Sequence, residues 1–395
     1  MHVGKRPTSV LIAGGGPAGS SLAIRLVTRG FDVTLVEREK FPRHKLCGEF
    51  ISPECLLHFV ELGVREQMLA SGGERITKTV FYDAAGRSIA VPCKWFATGG
   101  AALSLSRAEM DHKLLERARE VGVDVREEAS VVGFGEESGR VTDVRVRSGD
   151  NSDQKLSADI FVDATGRASV LARLLEKRSK GKTPKKGKGL VGFKAHLKNT
   201  NVEPGCCEIY SFHGGYGGLS PIENGSANLC FLVRSEIVRD MNGDADGIMG
   251  SVVLKNTRAF ATLSQAERVS DWLAVSVDGF GLKNLDPAVN VFTIGDSAAF
   301  IDPFTGSGML MAFESSELLA RIISTYSSEL KTLAMEYRLS FERRFATRLR
   351  ICSMLRRAAF SPAAAKVMIL LLKTNSVARQ LVARSTRGRA SLDAG

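Results

Sequence analysis

A glycine fingerprint, Gly14-x-Gly16-x-x-Gly19, dictates how this chain begins. It stands directly behind the apolar run Ser9-Val-Leu-Ile-Ala13 and ahead of a helical pattern through Leu22, Leu26 and Val27 that Gly30 stops. A run of that kind belongs in the middle of a parallel sheet, buried on both faces. Phe31 to Val36 reads as a second strand ending at Glu37, eighteen residues beyond Gly19. Each part has a physical task. The first glycine makes the tight turn, the second lets backbone approach a pyrophosphate, and the third lets helix and strand pack closely. Free N–H groups at the helix start, from Ala18 onward behind Pro17, favour phosphate, and Glu37 is placed to accept from ribose hydroxyls. A dinucleotide site is expected here.

Further along, Val80–Tyr82 and Ser88–Val91 flank Ala-Ala-Gly86 as a hairpin, and 105–122 is helical. Residues 131–146 read as a hairpin turning at 136–139, and Ile160-Phe-Val-Asp163 as a buried strand. The Gly/Lys stretch before Leu190 reads as an exposed linker, 190–235 as β-rich and 245–268 as helical. Val291-Phe-Thr-Ile294 is another buried strand. In the final section Leu333, Tyr337, Phe341, Phe345 and Leu349 hold one helical stripe while arginines take the other faces.

Four ordered motifs over residues 8 to about 325 resemble the FAD-dependent oxidoreductases that share a fold with para-hydroxybenzoate hydroxylase and geranylgeranyl reductase. The fingerprint is the first. Leu105-Ser-Arg107-x-x-x-Asp111 is similar to the helix whose arginine reaches FAD, and Asp163-Ala-Thr-Gly166-Arg167 to a strand-to-loop segment of the family. The fourth is Gly295-Asp296-Ser-Ala with Ile301-Asp-Pro303-Phe-Thr-Gly306-Ser-Gly308-Met309. At the end of its strand Asp296 can accept from ribityl hydroxyls. Gly306, Gly308 and Met309 bring backbone N–H groups at a helix start toward the flavin ring, where negative charge develops on reduction. The loop Phe41-Pro-Arg43-His-Lys45-Leu-Cys47-Gly48-Glu49 is similar to one in the geranylgeranyl reductase-like branch that lies close to the flavin. The resemblance implies cofactor contacts at Arg38, Arg43, Cys47, Gly48, Arg107 and Val131 as well. Cys47 and Tyr216, the latter within Gly214-Gly-Tyr-Gly-Gly-Leu-Ser-Pro221, are the candidate catalytic residues. A buried thiol and a sheet tyrosine are the plainer readings of the two. The tryptophan signature of indole halogenases is absent beside Gly218 and Leu219, so halogenation is not expected.

The expected fold is therefore α/β. A Rossmann-like FAD-binding domain is assembled from 1–75, 100–176 and 285–330, and a β-rich substrate domain from 76–99 and 189–284. A C-terminal helical basic segment covers 331–395. The expected activity is FAD-dependent redox chemistry on a hydrophobic small molecule, free or carrier-bound. Hydride transfer to a carbon–carbon double bond leads, with hydroxylation of an aromatic or polyketide-like ring as the alternative. No second fingerprint marks an NAD(P)H domain, so either NAD(P)H bound without one or a protein donor supplies electrons.

Charge adds a different hypothesis. From Arg338 onward 13 Lys/Arg face only Glu342 and Asp393, so this tail carries the whole net charge of +11. The preceding 337 residues balance at 41 basic and 41 acidic. Lys177–Lys188 is a smaller basic run. A solvated face is the plain reading of the tail; recruitment to a membrane surface or an acidic carrier is the sharper one. The basic stretches carry no nucleic-acid reading motif, and no nucleic-acid partner is expected. Seven cysteines without CxxC, histidines without metal spacing and no apolar run of membrane-spanning length fit a cytoplasmic protein, at most peripheral to a membrane. An apolar strand starting near Ser9 leaves little room for a targeting peptide. A GxSxG elbow is also missing, which leaves a hydrolase without support.

Overall fold

The computed structural model describes residues 7–96, 100–180 and 189–387. Its organising element is a five-stranded parallel sheet in the spatial order Val291–Thr293, Ile160–Asp163, Ser9–Ala13, Asp32–Val36, Asp124–Arg126. Ser9–Ala13 lies in its centre with Val10 to Ala13 buried, as a run without polar alternation requires. Helix Pro17–Val27 leaves the first strand and packs against helices Arg107–Glu120 and Gly308–Tyr326. Ser21 Oγ and Ser316 Oγ are 2.7 Å apart at one of these contacts, and Arg25 Nη1 donates to Ser316 Oγ at 2.8 Å. Small polar side chains let these helices approach closely while each of these buried hydroxyls keeps a partner.

A second, larger sheet runs in the order Glu267–Arg268, Leu190–Lys198, Ala227–Arg234, Gly215–Pro221, Cys206–Phe212, Lys78–Tyr82, Ser88–Pro92. Leu273–Val277 also pairs with Leu190–Lys198. Strand alternation divides its side chains cleanly. Phe193, Tyr210, Phe212, Leu229 and Phe231 pack against helices Ala245–Ser251 and Thr257–Leu263. Residues of the other parity, among them Phe81, Ile209, Cys230 and Leu232, face the parallel-sheet region across a cavity. Cys206 and Cys207 accordingly point to opposite faces, and both are free thiols.

The basic run does not begin as a linker, because Val170–Lys180 is helical; residues 181–188 lie outside the described residues, as do 388–395 at the end of the tail. Two strands, Asp153–Ser157 and Leu273–Val277, leave no clear mark in the sequence. Both are short, and the first is polar.

The C-terminal section is more than an appendage. Helix Leu330–Ala359 sends Leu333, Tyr337, Phe341, Phe345 and Cys352 into the same core as Leu22, Met311 and Phe313. Tyr337 Oη donates to the Thr293 carbonyl at 2.6 Å, tying the helix to the edge of the parallel sheet. Arg348, only 2% exposed, pairs bidentately with buried Glu314 at 2.6 and 3.2 Å. Removing one partner of such a pair strands a charge in the interior. Glu314→Leu is expected to destabilise the fold by about 3–5 kcal/mol in thermal or urea unfolding. The double change Glu314→Leu/Arg348→Met should recover most of that loss.

Candidate cofactor and active site

The ends of three parallel strands, the loop 43–49 and the start of helix Gly308–Tyr326 converge on a cavity of about 1040 Å³. Gly14, Gly16, Pro17 and Ala18 line one part of it, with Glu37 and Arg38 at the end of the second strand and Val131 beside them. Arg43, Cys47 and Gly48 line it from the loop, Arg107 from the start of its helix, and Asp296, Gly306, Gly308 and Met309 from the C-terminal side. Of the three defining fingerprint glycines, Gly14, Gly16 and Gly19, the last is off the lining. A Cβ there would lie 1.8 Å from the Gly14 carbonyl oxygen, so its task is packing. Gly14, at φ +106°, would place a Cβ 2.4 Å from the Ala164 carbonyl oxygen; a side chain is excluded twice over.

The cavity's polar groups match an elongated flavin dinucleotide. Helix Pro17–Val27 and helix Gly308–Tyr326 both start on the cavity without a side-chain cap, and neither carries an acidic residue in its first turn. Their orphan N–H groups are thus available to an anionic or electron-rich ligand. The Asp296 carboxyl is pushed up by burial, with Arg167 and Lys283 opposing, and makes no side-chain hydrogen bond among the described residues; it suits a hydroxyl-bearing partner. Glu37 is more occupied than the sequence implied. One carboxylate oxygen accepts from Gly15 N at 2.7 Å and the other from Glu39 N at 3.0 Å, so it also staples the glycine turn to the second strand.

Basic side chains crowd the same end. Arg107 grips Asp111 through Nε at 2.8 Å and Nη2 at 2.6 Å, and Arg43 Nη1 reaches the same carboxylate at 3.0 Å. Lys45 also lines the cavity, and burial together with Arg43, Arg107 and Arg38 lowers its pKa to about 8.

Beside Cys47 lies a buried cluster that the sequence did not reveal. Glu49 accepts from Lys194 Nζ, from Arg107 N at 2.8 Å, and bonds His196 Nε2 at 2.9 Å. Burial alone would raise its carboxyl, but the His196 bond and the Lys194 charge outweigh burial and hold it low. Glu49 has φ +55°, an uncommon conformation for a residue with a Cβ, and these bonds fix it there. Lys194 and His196 are two apart on one strand and thus share a face, which was the available signal. Their pairing with residue 49 needed the fold. Cys47 Sγ accepts from Glu49 N at 3.4 Å, and the Cys47 carbonyl from Asn228 Nδ2 at 3.0 Å, so this loop is docked on the sheet.

Tyr216 does not sit on the cavity lining. It is buried against Phe304 and Phe360, and its hydroxyl donates to Asp302 Oδ1 at 2.5 Å. Its strand carries it past the cavity edge, and burial raises its pKa well above the usual phenol value. Beyond the cofactor cradle the lining turns apolar, through Phe81, Ile89, Val91, Ile209, Leu232 and Phe304. The C-terminal helices Pro362–Thr374 and Ser376–Ser385 complete the wall with Met368, Leu372 and Val382. Among the described residues no group of three or more His, Cys, Asp and Glu is placed to hold a metal.

The family model described as the FAD binding domain matches residues 7–331. A flavin-dependent halogenase of Armillaria mellea is 28% identical over 339 residues, 77% of this chain and 65% of the relative, so the chain spans less than two thirds of that protein. A menaquinone reductase of Mycolicibacterium smegmatis is 25% identical over 353 residues, 83% of this chain and 80% of the relative. In three dimensions a triple mutant of the flavin-dependent brominase Bmp2 superposes with TM-score 0.80 at 19% identity, covering 97% of this chain and 96% of the other. A geranylgeranyl bacteriochlorophyll reductase-like protein of Thermoplasma acidophilum gives 0.76 at 18%, over 95% and 96%. Proteins named halogenases are thus among those this chain is similar to, although it lacks the tryptophan of the indole halogenase signature.

Two outcomes follow from the cradle. Asp296→Ala should weaken FAD binding roughly tenfold or more, read as flavin lost on gel filtration, since it removes the carboxyl that faces the cavity. FAD affinity should also fall as pH rises above about 8, where Lys45 in the flavin-free protein loses its proton and binding an anion must restore it. The loss from this one group is at most about tenfold per pH unit, and titration of flavin fluorescence with Lys45→Met should show a flatter profile.

Proposed function

The chain belongs to the FAD binding domain family, and from that membership we propose that it is an FAD-dependent oxidoreductase that delivers hydride to a carbon–carbon double bond of a long hydrophobic substrate. The observation that carries this reading is the continuity of the cavity, in which the dinucleotide cradle opens into an apolar sleeve between the large sheet and the C-terminal helices. Such a sleeve recognises length and hydrophobicity by area buried and offers few groups to orient a polar substrate. The match over 80% of a menaquinone reductase's length supports the same direction.

When bound and reduced, FAD supplies the hydride equivalent. NAD(P)H or a protein donor provides its electrons. The chain's own groups do the rest. The uncapped start of helix Gly308–Tyr326 offers N–H groups to negative charge. At Gly48 a Cβ would meet nothing within 4 Å, so open space remains between the loop and the ring site. In this reading Cys47, which lines the cavity and whose carbonyl accepts from Asn228, supplies the proton to the substrate carbon. Phe81, Ile209 and Leu232 keep water from the apolar half.

A second reading, oxygen-dependent hydroxylation or halogenation, is favoured by the halogenase among the relatives. One assay separates them. The FAD-loaded protein is reduced with dithionite without air and given a polyprenyl quinone, and in parallel is supplied with air, bromide and a phenolic substrate. Products are read by mass spectrometry. A gain of two hydrogens that survives reoxidation of the quinol ring to the quinone, and so sits on the side-chain double bond, is the expected result of the anaerobic arm; oxygen or bromine incorporation in the aerobic arm alone overturns the reductase reading. In the productive arm Cys47→Ala should lower turnover by roughly 10²-fold with flavin content unchanged.

A further inference from the structure

The two last helices are apolar on both sides. In Pro362–Thr374, residues 365, 368, 369 and 372 face inward, and Met368 and Leu372 line the cavity. The opposite stripe, at 367, 370 and 371, presents Val367, Leu370 and Leu371 to solvent at 54, 45 and 66% exposure. Helix Ser376–Ser385 repeats the arrangement. Arg379, Val382 and Ala383 line the cavity, while Val377 and Leu381 are 64 and 63% exposed on the far side. Met354, on the adjoining helix, is 69% exposed. Isolated exposed apolar residues need no explanation, but consecutive helices that each expose a spaced apolar stripe mark a docking face.

The charge around this face is of one sign. Between residues 343 and 387 the sequence has eleven Lys/Arg and no Asp or Glu. Arg348 and Arg344 are consumed in ion pairs with Glu314 and Glu317. Arg350, Arg357, Lys366, Lys373 and Arg384 remain exposed, interleaved with the apolar stripes. Apolar side chains flanked by unopposed cations are the composition of a helix that lies in the headgroup region of an anionic bilayer. Among the described residues no helix is long and apolar enough to cross a membrane, so the contact is with one leaflet.

We propose that helices Pro362–Thr374 and Ser376–Ser385 dock on an anionic lipid surface, inserting Val367, Leu370, Leu371, Val377 and Leu381 between headgroups while the flanking cations meet lipid phosphates. Because the inner faces of the same helices wall the apolar half of the cavity, docking sets that wall against the bilayer, the place from which a long hydrophobic substrate is loaded. Removing the tail would not test this, since it would also remove part of the cavity and of the core.

The test uses the full-length, FAD-loaded protein and sedimentation with phosphatidylcholine vesicles, with and without phosphatidylglycerol. Expected is pelleting about fivefold or more stronger on the anionic vesicles, weakening as salt is raised. Leu371→Asp/Leu381→Asp, at two exposed positions, should reduce pelleting to the phosphatidylcholine level with the flavin spectrum and unfolding temperature unchanged. Lys366→Gln/Lys373→Gln should reduce it partly. Equal pelleting on both vesicle types overturns the proposal, as does pelleting that survives the double aspartate change. A stable dimer on gel filtration that those aspartates dissociate also overturns it, because the face would then be covered by a second copy. The readout is independent of which reaction the flavin performs, so failure of the reductase assay and failure of docking are separate results.

Discussion

At the glycine turn backbone meets backbone, and the other contacts of the molecule are arranged around that approach. The Gly14 carbonyl oxygen occupies the space a Cβ on Gly19 would need, and the Ala164 carbonyl does the same for Gly14. A Cβ on Gly295 would come within 2.9 Å of Ala18 Cβ. Three chain passes distant in sequence therefore meet at the ends of neighbouring parallel strands, with only the Ala18 methyl between the first and the third. That leaves backbone N–H groups, Glu37 and Asp296 facing one concavity. Ligands in open parallel sheets bind at such strand ends for this geometric reason.

The large sheet turns that cradle into a site with a direction. Its alternation commits one face to the aromatic packing of Phe193, Tyr210, Phe212 and Phe231, and frees the other to become a cavity wall. At one corner of the free face the apolar carpet gives way to Lys194 and His196, which hold Glu49 and hence the loop carrying Cys47 and Gly48. A buried ion pair of this kind adds little net stability, but losing either partner is costly, which suits a cavity-lining loop held in one conformation. Cys47 is thus positioned through a contact between Glu49 and Lys194, which stand 145 residues apart in the chain.

The C-terminal segment joins stability to access. One stripe of helix Leu330–Ala359 closes the core of the parallel-sheet region, and the two helices after it finish the apolar wall of the cavity. Arg348 and Arg387 show why charge counting alone misjudges this tail. The first is buried in an ion pair with Glu314; the second, also buried, donates to the Gly306 carbonyl at 2.9 Å and lies over the Phe96 ring. Part of the cationic excess is internal structure or, at Arg379, cavity lining, while Arg350, Arg357, Lys366, Lys373 and Arg384 face outward.

The order of residues alone was enough for the parallel β–turn–α–β unit, the FAD fingerprint, Asp296 at a strand end and the apolar stripe from Leu333 to Leu349. Each is local: a turn that only glycine fits, a period of about 3.6, a run without alternation. Packing in three dimensions settled what is non-local. It took Tyr216 off the cavity and into contact with Asp302, assembled Glu49, Lys194 and His196 from two segments, and placed Met368, Leu372 and Val382 on the apolar wall of the cavity. Strand parity says that two residues share a face, but only the packing of sheet on sheet and helix on sheet says what that face meets.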